Sequence, residues 1–375
     1  MGIFSDLHIG VESDSKTRLD ETRKCVRAVI DEFSKRSVDW VVFCGDLFNS
    51  RYSINVNTLN IGIEIVQELA YNFSKVFLIA GNHDTYYKNS NSVNSVSFLG
   101  KLTENGNVYV VDETPKFVQT KDCSFGMYPW GYDLSEASFT PDYGFGHFEF
   151  NGAELAGSIS SGCKYNLEDL FKLGKRLFSG HYHKPRSYET AKGKRLEMIG
   201  SPLQLDWGDY GQNKRALVLD TSTGKIDEIM IGDYCAKFSK VYYSSFKEKK
   251  YDKNSLKELC EGNFVKFVID IQYSFEDILK CSDIIKKLSP LSLEFDYMIS
   301  SASKEAKTSN SEMTKCKSKL NDEYLVSYIE SVFSEYAKTD ESLSLDVLKS
   351  IALSYFNKAM QPESEREENV LEDER

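Results

Sequence analysis

Trp40-Val41-Val42-Phe43-Cys44-Gly45-Asp46 is the stretch whose reading decides the fold. Five apolar residues in a row, β-branched or aromatic for the most part and too few for a helix, read as a strand buried on both faces. The run stops at a glycine followed at once by a carboxylate. The same grammar recurs at Val76-Phe77-Leu78-Ile79-Ala80-Gly81-Asn82, and in brief at Ile3-Phe4 ahead of Asp6. Between these runs lie segments with helical spacing, first Leu19, Val26, Ile30 and Phe33, then Leu59, Ile63, Val66 and Phe73. Strand and helix in alternation predict a parallel α/β sheet. Its polar residues would gather at the carboxyl ends of the strands, where loops converge.

Five short motifs carry that polar chemistry: Asp6-Leu7-His8, Gly45-Asp46-Leu47, Gly81-Asn82-His83-Asp84, Gly146-His147 and Gly180-His181-Tyr182-His183. All five histidines of the chain fall within them. Oxygen and nitrogen donors without sulfur suit hard divalent ions. Two such ions about 3.5–4 Å apart can clamp the attacking and leaving oxygens of a phosphoryl transfer. Asp46 has the central place for a bridging carboxylate, and neutral imidazoles with a carboxamide complete a shell without overcharging it. Asn82 beside His83 offers one ligand and one free acid that could protonate a leaving alkoxide.

From Val108 onward short strands follow one another: 108–111, 116–119, 124–128, 145–150, 176–179, 196–199, 216–220 and 225–231, with a helical stretch near 167–173. They predict a second, mostly antiparallel sheet packed on the first. A further unit over about 234–303 alternates cleanly at Val265, Phe267, Ile269 and Ile271, turns helical, then alternates again at Leu293, Phe295, Tyr297 and Ile299, which predicts a small βαβ domain. The Ser-, Thr- and Lys-rich stretch that follows reads as a linker. Two apolar stripes beyond it, Leu325, Tyr328, Ile329, Val332, Phe333 and Tyr336, then Leu348, Ile351, Ala352, Tyr355 and Phe356, predict amphipathic helices that need a surface to bury them.

Composition narrows the class. The 375 residues are 41% hydrophobic with a net charge of −11, enough apolar content for a sizeable core and unlike an all-over polyanion binder. The charge is uneven. Residues 363–375 are strongly acidic, whereas 164–195 hold nine basic residues against three acidic ones around the last histidine pair. That basic segment reads either as a solvated face or as a phosphate-tracking rim, with Lys184 and Arg186 the DNA-contact candidates. There is no apolar run near 18 residues and no signal-peptide pattern, and Asp6 stands where a myristoylation signal after Gly2 would want Ser or Thr. Eight cysteines without a C-x-x-C spacing are expected to be reduced thiols of a cytoplasmic protein.

The motif order D-x-H, GD, GNHD, GH, GHxH resembles the calcineurin-like metallophosphoesterases over about 1–232. Within that superfamily, Gly45–Phe48, Gly146–Gly152, Gly180–Pro185 and Gly200-Ser201-Pro202 resemble the SbcD-type recombination nuclease subunits, the compact phage members most of all. The resemblance implies an α/β fold: a two-sheet metallophosphoesterase sandwich flanked by helices (1–232), a βαβ capping domain (233–303), a linker (304–321), an ATPase-binding helical segment (322–360) and an acidic tail (361–375). It implies that Asp6, His8, Asp46 and His183 hold one metal, that Asp46, Asn82, His147 and His181 hold the other, and that His83 is the acid. The ions would be manganese, with magnesium as the substitute. It further implies an exonuclease or endonuclease of DNA recombination, repair and replication. The partner would be an SbcC-like SMC-type ATPase bound through the C-terminal helices. Homodimerisation would use the helices around 57–73 and 96–102, with no membrane association. The sequence departs from this pattern at Asn49, where the family often has histidine, and the strand before Asp6 is brief. Two other readings compete: a phosphatase or phosphodiesterase of a small metabolite, and a scaffold that keeps the fold without catalysis. The second would have lost a ligand, and none is lost.

Overall fold

The computed structural model describes residues 1–298 except 103–105, 156–157 and 274, so the expected linker, terminal helices and acidic tail lie outside the described residues. Three strands, β1 (Gly2–Phe4), β2 (Trp40–Phe43) and β3 (Lys75–Ile79), run parallel and adjacent. Helices Lys16–Lys35 and Val56–Asn72 connect them. Asn55 starts the second helix by accepting the Asn57 backbone N–H.

The continuous apolar runs are explained by what covers each face. In β2, Val41 and Phe43 pack into the helix-side core while Val42 and Cys44 face the other way. In β3, Val76 and Leu78 share the first core and Phe77 and Ile79 the second. A strand alternates its side chains, so burial on both faces demands apolar residues at every position.

The second core is the seam of a sandwich. Strands β4 (Tyr143–Gly146) and β5 (Arg176–Ser179) sit centrally in another six-stranded sheet, and Phe145 and Phe178 stack at 5.2 Å inside the seam. The α/β two-sheet sandwich is therefore the architecture, but three expectations need correction. The second sheet is mixed, because β4 pairs parallel with β5 and with Ser124–Met127, and β5 pairs parallel with Arg195–Met198. Strand Val108–Val111 and the hairpin Ala216–Leu219/Ile226–Ile229 belong to the first sheet instead. The helix expected near 96–102 is a single 3₁₀ turn, Leu99–Lys101.

Residues from Phe238 build a third sheet of three parallel strands, Phe238–Tyr242, Phe264–Ile269 and Ser292–Tyr297. Helices Lys253–Cys260 and Phe275–Lys286 connect them. The first strand was not legible as one, so the expected βαβ is βαβαβ. Arg18 ties this unit to the first core. Its guanidinium is 1% exposed and donates to the carbonyls of Gln204 (2.7 Å) and Leu205 (2.9 Å), over the rings of Phe238 and Phe264. Among the described residues no helix is long and apolar enough to cross a membrane.

Arg18→Ala should strand two buried carbonyls and leave a cavity. We expect a loss of about 2–4 kcal/mol, read from a urea melt of the full chain. Arg18→Lys should recover little, because lysine ends one atom short of the Nη2 that donates to both carbonyls and lacks the flat cation that lies over the Phe238 and Phe264 rings. A wild-type midpoint for Arg18→Ala would remove this residue from the account of the fold.

Candidate metal centre

The five motifs follow directly on the carboxyl ends of β1 to β5. Strand direction alone therefore brings residues 6, 46, 82, 147 and 181 to one rim of the sandwich. The chain must turn sharply there. Asp6, His8, Asp46 and His181 all adopt left-handed backbone conformations (φ 55°, 44°, 58° and 88°). Such residues are strained by about 1–3 kcal/mol each and cluster where the surroundings over-determine them. The glycines allow the loops to close up: a Cβ at Gly81 would run into the Asp46 carboxylate, and one at Gly180 into Ser5 and the Cys44 carbonyl.

The side chains bring ring nitrogens and carboxylate or carboxamide oxygens together. His147 Nδ1–H donates to the Cys44 carbonyl (2.8 Å), which in the neutral ring leaves the Nε2 lone pair facing Asn82 Oδ1 (3.0 Å) and Asp46 Oδ2 (3.3 Å). His181 Nδ1 lies 3.0 Å from the same Asn82 oxygen. On the other side His8 Nε2 and His183 Nε2 are 3.0 Å apart, and His8 Nε2 lies 3.4 Å from Asp46 Oδ2. Ring nitrogens and oxygens packed this tightly in a buried place need positive charge among them, from protons or from metal ions. Three sets, Asp6/His8/His183, His8/Asp46/His83 and Asp6/Asp46/His147, each bring their ligand atoms within 4.8 Å of one another. The residues therefore fit a pair of divalent cations, with Asp46 within reach of both sides.

Protonation follows the same field. Burial opposes ionisation of Asp46, but the charge of His147 prevails and holds its carboxyl well below the usual range. Burial likewise opposes a charged His147, yet Asp46 and Asp6 push it up to about 9. Burial brings His8 down to about 3 against the pull of Asp46, and His181 down to about 3 with the charge of His147 adding to the effect. His8 and His181 thus offer free lone pairs at neutral pH, and His147 is the position where a proton and a metal would compete.

His83 stands apart. Its ring is half-buried, and Nδ1–H donates to the Asn49 carbonyl at 2.6 Å. Nε2 is thereby left for other work. The orienting group is a main-chain carbonyl, so the Asn49 side chain does not decide it. Of the other candidates, Lys184 is exposed, while Arg186 is paired with Glu154. Within the basic segment Lys164, Lys175, Arg176 and Arg195 also have carboxylate partners, which leaves Lys172, Lys184, Lys192 and Lys194 without an ion pair among the described residues.

Two contributors were not singled out from the sequence. Asp84, fully buried, accepts backbone N–H groups from Asp46 (2.9 Å), Leu47 (3.0 Å), Phe48 (3.1 Å) and Gly81 (2.9 Å). Burial and the charge of Asp46 raise it to about 7 while those N–H groups oppose the shift. The signal was available, since Asp84 closes the GNHD motif. Trp130 packs against His147 and His181 at 5.8 and 5.1 Å, and its place in the chain carries no comparable signal.

Residues 1–185 match the family of calcineurin-like phosphoesterases. This segment is a calcineurin-like metallophosphoesterase domain. The chain is also 29% identical over 244 residues to exonuclease subunit 1 of Enterobacteria phage T4, a match that spans 60% of this chain and 66% of that relative. Among solved structures, Yfce, a phosphoesterase from E. coli, is 14% identical with a TM-score of 0.32, over 62% of this chain and 98% of its own. The nuclease MPE of Pseudomonas putida is 13% identical with a TM-score of 0.27, over 60% and 86%. At such TM-scores these two likenesses add nothing to the assignment.

Asp84→Asn should turn an amide NH₂ toward N–H donors and leave some of them unpaired. We expect a loss of about 1–3 kcal/mol in stability and weaker Mn²⁺ binding by calorimetry. Unchanged values in both measurements would show that the metallophosphoesterase loops do not depend on this carboxylate.

Proposed function

We propose that this chain is the nuclease subunit of a DNA-processing complex, a two-metal-dependent phosphodiesterase that acts as exonuclease and endonuclease. The observation that carries the reading is the convergence of Asp46, Asn82, His8, His147, His181 and His183 through nitrogen and oxygen atoms 3.0–3.4 Å apart, with the oriented imidazole of His83 beside them. Asp6, His8, Asp46 and His183 would hold one ion and Asp46, Asn82, His147 and His181 the other. Manganese is the proposed metal and magnesium the substitute. When bound, the ions supply positive charge against the phosphoryl oxygens and make water more acidic.

The protein groups have separate tasks. The Cys44 carbonyl fixes the His147 ring, so its Nε2 points inward. The Asp46 carboxylate accepts the His83 backbone N–H at 2.9 Å, which holds the acid's main chain against the centre. His83 Nε2 carries the proton for the leaving alkoxide, while Nδ1 stays bonded to Asn49. Trp130 packs its indole against the rings of His147 and His181.

DNA is favoured as the substrate by the likeness to the phage exonuclease subunit. That relative is named as a subunit, which fits a multi-subunit assembly, and we further propose a role in recombination, repair and replication in the cytoplasm with an SbcC-like ATPase as partner. The helices proposed to bind that partner fall outside the described residues. Homodimerisation is proposed through Val56–Asn72, the one of the two expected helices that forms. Lys184 is the better of the two proposed DNA contacts, because Arg186 already has a carboxylate.

The test is cleavage of linear DNA with Mn²⁺, with Mg²⁺ and with chelator. Activity should vanish with chelator and return with Mn²⁺. Cleavage that persists in chelator, or hydrolysis of small phosphate esters with none of DNA, would defeat the proposal. His83→Ala should retain Mn²⁺ by calorimetry and lose about 10²–10⁴-fold in rate. Asp46→Ala should bind metal poorly and lose more activity than removal of any single outer ligand.

A further inference from the structure

Beside the metal centre lies a feature that metal binding does not use. Tyr52, Tyr86 and Tyr87 expose 72%, 45% and 48% of their surface. Their rings touch in series, Tyr52 to Tyr86 at 5.8 Å and Tyr86 to Tyr87 at 4.9 Å, each edge to face. Scattered exposed aromatics need no explanation, but a contiguous group on a rim marks an interaction surface.

The position is specific. Tyr52 sits on the loop whose Asn49 carbonyl holds the His83 ring. Tyr86 and Tyr87 follow His83 by three and four residues, in a hairpin strand Thr85–Tyr87 paired with Ser90–Asn94. The pairing register shifts between Thr85 and Tyr87, which places Tyr86 at an irregularity. Such bulges break the alternation of a strand and re-aim side chains. Here two consecutive tyrosines are both exposed and in mutual contact. Cations flank both loops: Arg51 precedes Tyr52 and Lys88 follows Tyr87. Neither forms an ion pair among the described residues.

We propose that Tyr52, Tyr86 and Tyr87 form a stacking platform for unpaired nucleobases next to the scissile phosphate, with Arg51 and Lys88 on the flanking phosphates. The inference rests on the DNA nuclease reading above and deepens it, since it names single-stranded DNA as what the centre receives. Aromatic faces beside cations are the recurring means of holding single strands without sequence preference, because every base has a face to stack. The platform adjoins His83, so a base seated on it would fix the neighbouring phosphodiester against the acid.

The test uses the full chain carrying His83→Ala, to prevent cleavage, with Mn²⁺ present. Two fluorescein-labelled probes of equal charge are compared by anisotropy: a single-stranded deoxythymidine oligomer and the same length of abasic sites. The base-bearing probe should bind at least about tenfold tighter. Adding Tyr86→Ala should cut that preference about fivefold or more, Tyr86→Phe should restore it, and Tyr52→Ala with Tyr87→Ala should remove most of the remainder. Arg51→Ala with Lys88→Ala should weaken both probes alike and flatten the salt dependence. Circular dichroism melts confirm that each variant is folded. Equal affinity for the two probes, or a preference unmoved by the tyrosine changes, overturns the platform. If those changes instead alter the association state in sedimentation, the surface docks protein, which overturns it too. The DNA nuclease reading is judged separately, on cleavage by the wild-type chain, so cleavage of DNA without base preference sinks only the platform.

Discussion

One buried carboxylate governs how the metallophosphoesterase centre is assembled. Asp84 collects N–H groups from the turn after β2 and the turn after β3, and so locks together the loops that carry Asp46 and Asn82. Without it, four buried donors and a left-handed Asp46 would have no common anchor. An unmet backbone donor in the interior costs roughly as much as a lost hydrogen bond. Rigid turns in turn hold the nitrogen and oxygen atoms of the centre close together, because loops free to relax would let them drift apart. Strain at Asp6, His8, Asp46 and His181 is the local expense of that rigidity, and two apolar cores sustain it.

Much of this was legible in the sequence, for a definite reason. The strands β1, β2 and β3 are buried on both faces, so apart from Lys75 at the start of β3 their residues had to be apolar, and the polar residues just after each run had to mark the rim. The histidines needed no structure to be noticed, since the chain spends all five of them there. Less visible was the direction of the strands in the second sheet. Alternation reports which faces are buried, and it is the same for parallel and antiparallel pairing. The connections could have told more. From Met127 to Tyr143 and from Gly146 to Arg176 the chain has the dozen or more residues that a parallel crossover needs. Those crossovers carry little regular helix among the described residues, which is why the strands they join read as mostly antiparallel.

Side-chain partners were the other hidden layer. Nothing in the sequence says that the Asn49 carbonyl meets the His83 ring, or that Trp130 lies on His181. Both contacts join residues more than thirty positions apart and depend on the sandwich being closed. Arg18 is a similar case. A basic residue on an amphipathic helix reads as solvent-facing, yet here it is buried because two carbonyls of a distant loop and two phenyl rings surround it.

The pairing of β1 sets the order in which such a chain can mature. β1 is flanked by β2 on one side and by Ala216–Leu219 on the other, so the strand bearing Asp6 and His8 is closed by residues about two hundred positions later. Until those residues have emerged from the ribosome, β1 presents an unpaired edge, the kind of surface that recruits other chains. A fragment ending at residue 185, although it holds every histidine, would keep that edge open and would lack Arg195–Met198 beside β5. The histidine motifs are complete long before the scaffold is. Non-local closure of this sort makes folding slow, and the nascent chain remains exposed to aggregation for most of its synthesis.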